Sequence, residues 1–138
     1  MISDIVRYLV IKALSNKFND IRLLKEYFVD GLSPSDLSAR YCISKDSVRG
    51  FILRMYEYAG DKRYLPKLFE IIYPYLEKIK PVVHVVCMCK LCGEIMDCNV
   101  IGHHIRHYHR DVVEEYVDSI LKIIKKKINE AKGMGGSQ

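Results

Sequence analysis

Apolar residues recur along most of this chain with a period near 3.6, which predicts a mainly helical protein. Ser3 and Asp4 offer a cap, after which Ile5, Val6, Leu9, Val10, Ala13 and Leu14 follow at helical spacing until Asn16 to Asn19 breaks the pattern. A second helix is expected from about Asp20 to Asp30, with Ile21, Leu24, Tyr27 and Phe28 on one side and a stop at Gly31. Ser33 then caps a third, with Pro34 at the first position, where its missing N–H costs nothing, and with Leu37 and Tyr41 inward. After a short turn at Cys42-Ile43, Ser44 caps a fresh helix carrying Val48, Phe51, Ile52 and Met55 inward. A further helix starts near Pro66 with Leu68, Phe69, Ile72, Leu76 and Ile79 as its face. Pro74 is expected to kink or split it, and Pro81 to end it.

Beyond that point the period changes. Val82 to Val86 is β-branched and predicts a strand, and Asn99 can cap a short helix. From Asp111 to about Lys132 a long helix returns, striped by Val113, Val117, Ile120, Ile124 and Ile128 and widened by Val112, Tyr116 and Leu121. Acidic residues at its start and lysines near its end agree with the helix dipole. Such a stripe must be buried against the rest of the chain or against a second copy, so a homodimer through this helix is one of two expectations. The expected organisation is a helical module over 1–80, a metal-binding module over 81–110, the terminal helix over 111–132 and a flexible tail over 133–138.

Charge adds a direction. Lys and Arg number 22 against 17 Asp and Glu, a net +5. Residues 1–81 hold 14 basic and 10 acidic groups, 82–110 hold 3 and 2, and 111–138 hold 5 and 5, so the excess lies in the N-terminal part. A modest basic bias fits a nucleic-acid partner. No run approaches 18 apolar residues, and Asp4, Arg7 and Lys12 interrupt the first apolar stretch, so neither a membrane span nor a signal peptide is expected.

The cysteines change the picture most. Four of five, and four of five histidines, fall within CMCKLCGEIMDCNVIGHHIRHYH, Cys87 to His109. Oxidised frameworks spread their cysteines whereas metal sites cluster them, so the expected setting is a reducing, intracellular one, the cytoplasm. Cys89 and Cys92 form C-x2-C before Gly93, a knuckle that supplies half of a tetrahedron. For the other half, His104 and His109 give H-x4-H while His103 and His107 give H-x3-H. The stretch resembles C2H2 zinc fingers, above all the archaeal and viral versions that end in H-[I/L]-[R/K]-x-x-H, as HIRHYH does from His104. Ile101 falls where that family places its core Leu, and the Cys92–His104 interval is one short. The resemblance implies a small ββα fold with one structural Zn²⁺ per chain on Cys89, Cys92, His104 and His109. His107 competes for the fourth position, and Cys87 and Cys98 are spare thiols. A viral origin would make the setting the host cytoplasm.

The stretch LSPSDLSARYCISKDSVRGFILRM resembles the helix-turn-helix family of DNA-binding proteins. Leu37, Ser38, Cys42, Ile43, Ser44, Val48 and Phe51 occupy its patterned positions, over roughly residues 20–57. Cys42 stands where Gly is usual because that backbone tends to be left-handed. The resemblance implies that Lys45, Asp46, Ser47, Arg49, Gly50 and Arg54 face the major groove of duplex DNA. The finger helix presents Asp97, Cys98, Asn99, Val100 and Gly102, a poor reading surface, so the metal is expected to hold the fold. A nuclease needs an open coordination position and an activating His; four ligands close the shell, and no enzyme is expected. The sequence therefore predicts a DNA-binding transcriptional regulator. The alternative is an adaptor that docks a partner through the finger and terminal helix.

Overall fold

The helical period is realised in seven α-helices among the described residues. They are α1 (Ile2–Leu14), α2 (Phe18–Phe28), α3 (Pro34–Tyr41), α4 (Lys45–Ala59), α5 (Leu65–Leu76), α6 (Ile101–Tyr108) and α7 (Arg110–Gly136), with a 3-10 turn at Lys62–Tyr64. This computed structural model describes the backbone of residues 2–136 and the side chains of residues 2–131.

Local chemistry places the helix ends. Between α1 and α2 the chain turns through Asn16 at φ 62°, a conformation that Asn tolerates better than most residues. The Ser33 hydroxyl accepts the Asp36 N–H at 3.1 Å while the Asp36 carboxylate accepts the Ser33 N–H at 3.2 Å, a reciprocal cap. Ser44 Oγ accepts the Ser47 N–H at 3.0 Å and starts α4, which ends at Gly60 with φ 73°. Pro74 neither splits nor ends α5, which runs on to Leu76.

The first helix is the hub. Ile5, Val6, Leu9, Val10 and Leu14 are fully buried, and α2, α4, α5, α6 and α7 all pack against α1. The stripe of α7 is buried from Val113 through Val117 and Ile120 to Ile124, with α7 lying along α1, α5 and α6. The stripe is thus covered within the chain, and Ile128 remains partly exposed. The core is continuous through Ile79, Val83, Ile101 and Ile105, across the expected boundary between residues 80 and 81. No described helix is long and apolar enough to cross a membrane.

Two expectations about secondary structure need correction. The described residues contain no strand, so the ββ half of the expected ββα unit is absent. Two isolated antiparallel bridges stand in its place, Val83 with Cys89 and Met88 with Ile95. The reason is a tight reversal. The His84 N–H donates to Met88 O at 2.9 Å, the Cys87 N–H donates to His84 O at 2.8 Å, and Cys87 sits at φ 56°. That turn uses up the β-branched run after one pair and leaves Val85 and Val86 in solvent. The tail expected over 133–138 is helical as far as Gly136, and its last two residues lie outside the described ones.

Candidate metal centre and basic helix face

The C-x2-C segment folds as a knuckle. The Cys89 N–H donates to Glu94 O at 2.8 Å, the Gly93 N–H donates to Cys89 O at 2.7 Å, and Gly93 takes φ 82°, which glycine reaches without strain. Opposite it, α6 buries Ile101, His104 and Ile105 together, so His104 rides the core face at helical spacing. The His109 N–H closes the helix on Ile105 O at 3.0 Å, which brings a second imidazole alongside.

Four ligand atoms converge there. Cys89 Sγ lies 3.3 Å from His109 Nε2, Cys92 Sγ lies 3.3 Å from His104 Nε2, and the two Nε2 atoms are 3.2 Å apart. All four atoms lie within 4.8 Å of one another. A tetrahedral ion bonded at about 2.3 Å to sulfur and about 2.05 Å to nitrogen needs edges of about 3.5 Å between S and N and about 3.3 Å between the nitrogens. These three edges fit with slight expansion, and the clustering of all four atoms means that Cys89, Cys92, His104 and His109 can hold a metal ion. His104 Nδ1 faces Glu94 Oε2 at 3.5 Å, the kind of carboxylate partner that orients an imidazole ligand. The Glu94 backbone N–H favours the Cys92 thiolate, but desolvation and the adjacent Cys89 outweigh it and raise the thiol above its ordinary range. A bound cation reverses that balance by favouring both thiolates.

The competing histidines lie elsewhere. His103 and His107 are exposed on the other face of α6 and pair with each other, ring centroids 4.1 Å apart. Cys87 and Cys98 are not spare thiols as expected: they form a disulfide, with their Cα atoms 5.3 Å apart. Neither this bond nor Glu94 was visible in spacing alone, because both depend on how residues 84–98 fold back.

The six residues expected on the outer face of α4 are all exposed. Lys45 lies in the first turn, and Arg49 reaches Asp46 at 3.7 Å. The Ser47 hydroxyl is engaged with Ser44 Oγ at 2.9 Å, so it belongs to the cap. Arg54 turns back and donates to Tyr8 Oη at 3.3 Å. Around Gly50, beyond its chain neighbours and the backbone of its own helix, no atom lies within 4 Å of where a Cβ would stand. The turn before α4 passes through Cys42 at φ 55°, the left-handed position anticipated for it, and Leu37, Val48, Ile52 and Met55 are buried behind.

No family model, curated protein or solved structure matches the chain.

Proposed function

We propose that the chain is a duplex-DNA-binding transcriptional regulator that reads DNA with the outer face of α4. Cys89, Cys92, His104 and His109 hold one structural Zn²⁺ in a finger reduced to a knuckle and a helix. The observation that carries this reading is the two-sidedness of α4, newly capped by Ser44 after a left-handed turn. Val48, Ile52 and Met55 on its inner side are buried, while Lys45, Arg49 and Gly50 are exposed, Arg49 meeting Asp46 of its own helix. A helix buried on one side and open on the other, with Lys45 and Arg49 flanking Asp46 near its start, suits the major groove. Zinc suits two thiolates and two imidazoles in a closed tetrahedron, an arrangement that serves folding rather than catalysis.

Fluorescence anisotropy with a labelled mixed-sequence duplex tests it. Binding weakens steeply as salt rises, because released counterions drive it. Replacing Lys45 and Arg49 by Ala together weakens it by about tenfold or more. Salt-indifferent binding, or a double variant that binds as the parent does, sinks the reading.

A second reading has its own support. Val85, Val86, Ile95 and Tyr108 are exposed by 88, 65, 72 and 75%, a large apolar exposure for the metal-binding segment and its helix. An adaptor would use such residues to dock a protein, and a chain that shifts no DNA at micromolar concentration and low salt favours it. A homodimer through α7 would have to use the part beyond Ile124, where the stripe is no longer covered.

A further inference from the structure

Tyr8, which fixes Arg54, also forms one wall of a cleft of about 290 Å³ where α1, α4 and α6 meet. None of the four clustered Cys and His residues lines it, and of the outer face of α4 only Arg54 meets its wall, through Tyr8. Ser15 lines this cleft, is only 5% exposed, and its hydroxyl has no hydrogen-bond partner among the described residues. A buried hydroxyl without a partner costs stability, a cost that a ligand bonded to it would remove.

The charges around it are unbalanced in one direction. Arg7, Lys12, Lys17 and Arg106 line the cleft, with Asp4 the one carboxylate among the described lining residues. Arg7 is bound by Glu114 and Lys12 by Asp20. Lys17 and Arg106 have no carboxylate at ion-pair distance among the described residues; Lys17 donates only to the Cys98 carbonyl, at 3.2 Å. Burial first, then the neighbouring Lys12, lowers the Lys17 ammonium below its ordinary range, a burden that an anion relieves. The first turn of α6 opens onto the same cleft through Gly102 and His103, and no side chain caps it. An uncapped helix start with cations and a spare hydroxyl favours a tetrahedral dianion over a lone carboxylate.

The opposite wall is aromatic. The Tyr8 and Tyr58 rings lie 5.5 Å apart at 47°. A volume of about 290 Å³ falls at the lower end of small-molecule pockets, about 300–1,000 Å³. We infer that this cleft binds a phosphomonoester of mononucleotide size, its phosphate taken by Lys17, Arg106 and Ser15 and its ring by Tyr8 and Tyr58. The inference does not depend on DNA reading by α4.

Calorimetry and thermal shift on the full metal-loaded chain at low ionic strength test it, with adenosine 5′-monophosphate, adenosine and inorganic phosphate as probes. The monophosphate binds and raises Tm, inorganic phosphate binds more weakly, and adenosine leaves Tm unchanged. Ser15→Ala raises the Tm of the free chain, because an unsatisfied hydroxyl is gone, yet weakens the monophosphate by about tenfold. Arg106→Gln weakens it similarly and flattens its salt dependence. Adenosine binding as tightly as its monophosphate, or monophosphate binding unchanged in both variants, overturns the proposal. So does failure of the monophosphate to bind at millimolar concentration. In that last case, a loss of duplex binding in Arg106→Gln would assign the cations to the DNA backbone instead.

Discussion

Gly50 occupies the middle of α4, where a stronger helix former would be expected to serve better. A Cβ there meets nothing within 4 Å, and the backbone does not require glycine. Gly50→Ala is therefore expected to stabilise the chain by about 0.5–1 kcal/mol in chemical denaturation. If a DNA backbone or base edge approaches at this point, the same change weakens duplex binding in anisotropy. Greater stability with undiminished binding would place the reading surface elsewhere. Single residues were legible where a motif fixes local geometry. Cys42 was expected to be left-handed and is, and the C-x2-C spacing together with the resemblance of HIRHYH to a C2H2 ending picked out the four residues whose ligand atoms cluster. What stayed hidden depends on distant parts of the chain. Glu94 reaches His104 only because the knuckle turns back, and Ser15 became noticeable only once α6 lay over it, where a Cβ on Gly102 would stand 3.6 Å from its hydroxyl.

Among the elements, α1 and α7 show what periodicity can and cannot decide. The stripe on α7 was plain in the sequence, but a stripe does not name its partner, and packing along α1 and α5 had to come from the structure. A polar contact fixes the register. Arg7 Nε donates to Glu114 Oε1 at 2.6 Å and Arg7 Nη2 donates to Glu114 Oε2 at 3.2 Å, a two-pronged bond joining the first helix to the last. The guanidinium holds the Glu114 carboxyl below its ordinary range. The folded chain thus takes up this proton less readily than the unfolded one. The stabilisation is complete above the unfolded value of about 4.3 and fades as pH falls through the lower folded value. Both side chains are nearly a third exposed, so solvent screens the pair. Glu114→Gln is expected to cost about 1 kcal/mol at pH 7, with the deficit closing as the pH drops below about 4. A deficit unchanged across that range would mean that packing, not charge, is lost. The run Val82 to Val86 teaches the converse lesson: β-branched residues favour a strand only where a partner can pair along them, and the turn at His84 to Cys87 removes the partner.

For the molecule as a whole, the four clustered Cys and His residues belong either to an appended module or to the common core. Cys89 and Cys92 of the knuckle lie close enough to His104 and His109, on α6 and at its end, to share one ion, while Ile101 and Ile105 on the same helix are fully buried in the core that contains α1 and α7. An independent finger would unfold alone on chelation and leave the remaining helices melting as before. A finger whose helix supplies part of the common core cannot, because freeing α6 exposes Ile101 and Ile105 together with the face of α1 they cover. Excess chelator is therefore expected to lower the melting temperature of the entire chain in one transition followed by circular dichroism, and Cys89→Ser to do the same with no chelator present. The metal content should be one ion per chain before chelation and none after. Two transitions, the upper one insensitive to chelator, would show instead that α1 to α5 and α7 hold together without α6.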